Sequence, residues 1–220
     1  MQDLGSVHLK SYDIKNERII SILGEIENMY INKYDIPVSN ELRKSVEKFP
    51  DYYISDEFRD IIIGMGDTHS GAAEHSLSYG IKPDHYNGEY KAEYRAEYND
   101  IDSRIKTELG IQYNALSQFY PPGGYIGWHS NADASAHNLI FTWSETGDGW
   151  FTYIDPITKE VVVMPDKKGW TLKAGYFGRY GSDSVIYHAA KTNCKRLTFS
   201  YTLGHDTEYW GDCIDYISHR

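Results

Sequence analysis

The sequence predicts a mainly β fold, a sandwich or jelly roll, with helices supplied by its N-terminal half. Two patterns carry that expectation. Short β-branched and aromatic runs recur through the second half with turn residues every eight to twelve positions. The first half instead carries apolar residues at helical spacing.

The candidate strands follow in order. Leu139–Trp143 and Trp150–Ile154 flank Ser144–Gly149, which reads as a hairpin turn. Asp155-Pro156 closes the second strand, Glu160–Met164 forms a third, and Gly169–Leu172 and Ala174–Phe177 begin the return. Upstream, Ile19, Ile20, Leu23, Ile26, Met29 and Tyr30 predict an amphipathic helix over Asn16–Lys33 that buttresses the sheet. A second helix is expected over Asn40–Phe49, capped by Ser39 or Asn40, and Asp56–Gly64 reads as a buried strand over Phe58–Ile63. Glu89-Tyr90, Glu93-Tyr94 and Glu97-Tyr98 repeat every fourth residue, which favours a helix packed by a tyrosine stripe, with a tyrosine-rich hairpin as the alternative.

The chain has 220 residues. At roughly one domain per 100 to 200 residues this suits a single domain, with 1–110 as helical or irregular support, 111–204 as the jelly-roll core and 205–220 as a C-terminal extension. A net charge of −10 argues against a free-standing nucleic-acid binder, though a local basic groove stays open. Two cysteines, Cys194 and Cys213, have no metal-ligand spacing and build no disulfide framework, so the reducing cytosol is the default compartment. Met1–Gly5 lacks the basic flank and apolar core of a signal peptide, and no run of about 20 apolar residues occurs, so no membrane span is expected.

The most informative feature is a turn, Tyr120-Pro121-Pro122-Gly123-Gly124, that delivers Tyr125-Ile126-Gly127-Trp128-His129. About sixty residues later come Tyr187-His188 and then Arg196-Leu197-Thr198. Separately, each histidine reads as an ordinary sheet residue, the turn as only a turn and Arg196 as a surface arginine. In this order they resemble the 2-oxoglutarate and iron(II)-dependent oxygenases, particularly their compact prolyl-4-hydroxylase-like branch and small phage-encoded relatives. The resemblance covers roughly residues 111 to 204, with Tyr120-Pro121, His129, Gly147 to Gly149, His188 and Arg196 in the family's sequence of features.

That resemblance implies a double-stranded β-helix (a cupin-like jelly roll) with Fe(II) at its open mouth and 2-oxoglutarate as cosubstrate. It implies His129 and His188 as metal ligands, Arg196 as the clamp on the distal carboxylate, Thr198 assisting it from the same strand face, and Tyr120 touching the cosubstrate. The residue types suit the chemistry. Two imidazoles and a carboxylate on one face of Fe(II) leave positions for a keto acid and dioxygen. Arginine presents a permanently charged planar fork to a carboxylate. Oxidative decarboxylation would then yield succinate, carbon dioxide and an oxidant that takes hydrogen from a C–H bond.

One position departs from the pattern. The family expects an acidic residue two after the first histidine, and here stands His129-Ser130-Asn131, with the nearest carboxylate at Asp133. Asp133 bending back to complete the triad is the first expectation. Asn131 with a two-histidine iron, or a vacant position that accepts a halide, are the alternatives. The function expected is therefore hydroxylation of a peptidyl residue, amino acid or nucleobase. The rivals are a halogenase or other non-hydroxylating oxidase, and a catalytically silent jelly-roll binding module. Three more histidines, His69, His75 and His85, fall in a polar segment that reads as a solvated loop, with a lid over the site as the alternative. His137 and His205 are expected at the periphery. Trp128 and Trp143 are expected in the core or as pocket walls.

Overall fold

The computed structural model describes residues 9–34, 51–86, 88–204 and 207–219. Two antiparallel sheets face each other. The larger contains β1 (Lys10–Tyr12), β3 (Tyr79–Gly80), β4 (Tyr113–Tyr120), β6 (Ala136–Ser144), β9 (Gly169–Phe177) and β11 (Arg196–Leu203), in the order β1-β9-β6-β11-β4-β3. The smaller contains β2 (Ser76–Leu77), β5 (Tyr125–His129), β7 (Gly149–Ile154), β8 (Val161–Pro165) and β10 (His188–Thr192), in the order β2-β5-β10-β7-β8. This is the expected double-stranded β-helix. Three short strands from the N-terminal half, β1, β2 and β3, extend both sheets.

Successive strands mostly alternate between sheets. The turn Ser144–Gly149, expected to close a hairpin, instead switches sheets: β6 pairs with β9 and β11, while β7 pairs with β8 and β10. Gly147, at φ +87°, lets this turn bend against the backbone of Lys167 and Lys168. The two return strands expected after Gly169 are one continuous strand, β9.

Helices cover the outer face of the larger sheet. In α1 (Glu17–Glu27), Asn16 Oδ1 accepts from the amides of Arg18 and Ile19 at 3.0 and 3.1 Å, and the helix widens to π pitch over Asn28–Lys33. The tyrosine-stripe helix is α3 (Lys91–Leu109), whose buried face runs Tyr94, Tyr98, Ile101, Ile105, Leu109. These side chains, with Ile19, Leu23 and Ile26 of α1 and Ile214 and Ile217 of the last helix (Thr207–His219), pack on Leu139, Phe141, Leu172, Leu197 and Phe199 from the sheet. Trp143 joins this core, and neither it nor Trp128 lines the cavity described below. No helix among the described residues is long and apolar enough to cross a membrane.

The segment expected as a buried strand over Phe58–Ile63 is a helix, α2 (Asp56–Met65), capped by Ser55, whose Oγ accepts from the Phe58 amide at 3.2 Å. Phe58 and Arg59 are half-buried and Ile62 is buried, while Asp60, Ile61 and Ile63 to Met65 are exposed, the i, i+3, i+4 face of a helix. Ile62 packs with Trp128 and Ala189 on the outer face of the smaller sheet. The helix expected over Asn40–Phe49 lies outside the described residues.

Candidate active site

Alternation along the strands sends one set of side chains outward to the helices and the other into the space between the sheets. On β11 the outward set is Leu197, Phe199, Tyr201 and Leu203. The inward set is Arg196, Thr198, Ser200 and Thr202. Their register partners continue the polar interior: Arg196 stands opposite Tyr120, and Thr198 opposite Gln118. Together these residues line a cavity of about 720 Å³, a size suited to a small ligand. The other wall comes from β5 and β10 with Ile126, His129, His188 and Ala190.

His129 and His188 meet across those strands. They are register partners in the smaller sheet, and their ring centroids lie 4.1 Å apart. Both are buried. Each ring hydrogen-bonds its own backbone two residues upstream, His129 Nδ1 with the Gly127 carbonyl at 2.8 Å and His188 Nδ1 with the Ile186 carbonyl at 3.3 Å. A carbonyl only accepts, so Nδ1 carries the proton and each Nε2 keeps its lone pair, the tautomer a metal ligand needs. Burial pushes the His129 imidazolium down to about 4, against the Gly127 carbonyl and with help from His69. Burial, then the neighbouring His129, moves His188 well below the usual histidine range. Both imidazoles are neutral near pH 7.

Arg196 lies on the facing sheet, 1% exposed. Its Nε donates to Asp166 Oδ2 at 2.9 Å, its Nη1 donates to Thr198 Oγ1 at 2.8 Å, and its guanidinium carbon sits 5.0 Å from the centroid of the Tyr120 ring. The same Asp166 accepts from Lys173 Nζ at 2.6 Å, with both side chains essentially inaccessible. Burial would raise the Tyr120 phenol and does so despite Arg196, so Tyr120 stays protonated. The sequence reading missed Asp166 and Lys173. A lysine inside the strand Thr171-Leu172-Lys173-Ala174, on the inward phase with Thr171, was the available signal.

Asn131 lines the cavity and Asp133 does not. The chain reverses after Ser130, with Ala132 at φ +50° and the Ala134 amide donating to the Asn131 carbonyl at 2.9 Å, which leaves Asp133 exposed. Asp133 is therefore not brought to the histidines, contrary to the first expectation. Among the described residues no three His, Cys, Asp or Glu side chains gather as a metal site.

The polar segment after α2 forms part of the wall, with Ser70, Gly71, Ala72 and Ala73 lining the cavity. Ser130 Oγ donates to Tyr180 Oη at 2.8 Å, and that hydroxyl donates to the His69 carbonyl at 3.2 Å, latching this wall to the turn after His129. His69 Nδ1 accepts from the Gly71 amide at 3.0 Å, so its proton sits on Nε2, the wrong tautomer for a metal ligand through that atom. His75 stacks on Tyr53 with ring centroids 3.8 Å apart and does not line the cavity. His137 is buried, bonds the Gly204 carbonyl and stacks on Trp210 without lining the cavity, and His205 lies outside the described residues.

No protein-family model matches the sequence, and none of the curated proteins does. Among solved structures the chain is similar to a Pseudomonas putida prolyl-4-hydroxylase, at 12% identity and a TM-score of 0.40, over 91% of this chain and 95% of that one. It is also similar to a viral collagen prolyl hydroxylase from Paramecium bursaria Chlorella virus-1, solved with 2OG, at 14% identity and a TM-score of 0.31, over 69% and 92%. A third is a rice dioxygenase for auxin oxidation, at 13% identity and a TM-score of 0.26, over 76% and 70%.

The donor set fits a divalent transition metal as a two-histidine centre. Each Nδ1 is tied to a backbone carbonyl, the rings are close enough to share an ion, and Asn131 offers an amide to the same cavity. Among the described residues no carboxylate joins this donor set. The other half of the site fits a carboxylate: Asp166 and Thr198 engage two of the five Arg196 N–H groups, and the guanidinium borders the cavity.

Proposed function

We propose that this chain is an Fe(II)- and 2-oxoglutarate-dependent oxygenase that hydroxylates a C–H bond. The observation that carries this reading is one cavity holding, on opposite walls, a buried neutral histidine pair with both Nδ1 atoms tied back and a buried arginine with N–H groups to spare. His129 and His188 would hold the metal, Arg196 the distal carboxylate of 2-oxoglutarate, and Thr198 and Tyr120 the flank of that clamp. When bound, the metal and the keto acid together supply an oxidant from dioxygen, with succinate and carbon dioxide released.

The protein's own contribution is to orient and to exclude water. The Gly127 and Ile186 carbonyls fix the two rings, and Phe151 and Phe177 pack against His188 at 5.5 and 5.2 Å between centroids. Among the described residues, Arg196 is the one permanently charged side chain lining the cavity. Gln118 Oε1 is buried with no protein partner among the described residues and lines the same space, so it can accept from water or from an N–H or O–H of a ligand.

Oxygen-dependent release of succinate from 2-oxoglutarate in the presence of Fe(II) tests this reading. Succinate formation that vanishes in His188→Ala supports it, and no succinate from the metal-loaded wild type overturns it. The alternative is a halide in place of the missing carboxylate with a halogenated product; the bulk of Asn131 beside the histidines counts against it, and chloride-dependent incorporation of halogen into the substrate would identify that outcome.

A further inference from the structure

Arg196 alone would suffice to hold a carboxylate, yet it is already paired. Asp166 and Arg196 taken together are neutral, which would leave the pocket with hydrogen bonds but no net charge toward an anion. Lys173 changes that sum. With formal charges of +1, −1 and +1, the buried set Lys173, Asp166 and Arg196 carries +1, and all three side chains are at most 2% exposed.

Each member is placed by its element. Lys173 projects inward from β9. Asp166 follows the end of β8, its amide donating to the Gly149 carbonyl at 2.9 Å. Gly149 has no side chain at the point where a Cβ would stand 2.8 Å from Asp166 Oδ2, so the carboxylate can lie close between the two sheets. From there it takes Lys173 on one oxygen and Arg196 on the other. With Nε held by Asp166, Nη1 by Thr198 and one face against Tyr120, the guanidinium has little freedom to turn.

We propose that Asp166 and Lys173 are positioning residues for Arg196 that set this end of the cavity at one uncompensated positive charge, making it a receptor for a single carboxylate group. A net buried charge is unfavourable in a low dielectric, and a bound carboxylate removes the imbalance. Asp166 gives the arginine its direction, and Lys173 restores the charge that Asp166 cancels. The proposal rests on the reading above only in naming a dicarboxylate as the ligand.

The test is a charge cycle read by equilibrium binding of glutarate to the metal-free protein, followed by calorimetry. Glutarate has the distal carboxylate but not the keto acid that chelates metal. Lys173→Met leaves a neutral pair and is expected to weaken glutarate binding by about tenfold or more. The double variant Asp166→Asn/Lys173→Met returns the sum to +1, with the introduced amide oxygen still able to accept from Arg196 Nε, and is expected to recover most of the lost affinity. A merely structural role predicts the reverse, with the double variant no better than Lys173→Met. That result, an unchanged Lys173→Met, or wild type that does not bind glutarate, overturns the proposal. Protein that binds glutarate in the expected pattern but takes up no Fe(II) keeps this inference and removes the oxygenase reading. Protein that takes up Fe(II) while ignoring Lys173 does the opposite.

Discussion

At the scale of single residues, the site depends on which atom of each side chain is left free. His129 and His188 give up Nδ1 to backbone carbonyls two residues upstream, and Asn131 lines the cavity they border. Asn131→Asp is therefore expected to tighten Fe(II) or Co(II) binding by about tenfold or more, since a carboxylate is the harder and charged donor. Asp133→Ala should leave it unchanged. Metal titration of the two variants checks both, and loss of binding in Asp133→Ala would contradict the placement of that side chain. Asp166 carries a pH signature. Burial would raise its carboxyl, but Arg196 and Lys173 outweigh burial and hold it below the usual carboxylate range. A lowered folded-state value means that the unfolded chain protonates first. The stabilisation is thus complete above about pH 4 and is lost as pH falls through the lower folded value. The stability gap between wild type and Asp166→Asn should be constant above that point and narrow below it, as denaturant unfolding at several pH values would show. The five residues His129, His188, Arg196, Tyr120 and Thr198, which the resemblance picked out, line one cavity, and strand alternation accounts for Arg196 and Thr198 sharing a face. Asp166, Lys173 and the exposure of Asp133 were not legible in the sequence. The first two meet only through the crossing of β8 and β9 behind Arg196, and the third depends on a positive φ at Ala132 that sequence spacing does not reveal.

At the scale of elements, local chemistry decided the cases where hydrophobic period was ambiguous. Phe58–Ile63 is apolar enough for a strand, yet Ser55 caps it and Asp56 and Glu57 occupy the first turn, where a helix dipole favours acids. Ser55→Ala should cost about 1 kcal/mol in a thermal or denaturant melt. The tyrosine stripe was readable because four-residue spacing favours a helix over a hairpin, and Tyr94 and Tyr98 are buried on one face of it. Tyr90 precedes the helix and is 55% exposed. The turn Ser144–Gly149 misled because a sheet-switching connection uses the same glycine and polar residues as a hairpin; only the partners of β6 and β7 distinguish them. Gly71 sits at φ +76° where an added Cβ would come within 2.3 Å of Ala132 Cβ. Gly71→Ala should therefore push the 70–73 wall off the turn after His129, costing about 1 to 3 kcal/mol and weakening ligand retention. A melt and a glutarate titration would show both effects, and unchanged values for each would contradict the contact.

At the scale of the whole molecule, the division of labour is between two sides of one sheet. The outward side of β11 supplies Leu197, Phe199 and Tyr201 to a helix-covered apolar core, while its inward side supplies the polar floor of a cavity. Stability and function are thereby carried by alternate residues of the same strand. Leu197, fully buried, should cost about 2 to 5 kcal/mol when cut to Ala, whereas its neighbour Thr198 cut to Ala should change carboxylate binding far more than it changes the melt. The measurement that tests the central claim most directly is an anaerobic titration of the apoprotein with Fe(II) and 2-oxoglutarate, followed through the weak visible charge-transfer absorption of a chelated keto acid. The account predicts a band that requires both additions, disappears in His129→Ala and His188→Ala, and persists in Asp133→Ala. Wild-type protein that gives no band under these conditions would contradict it.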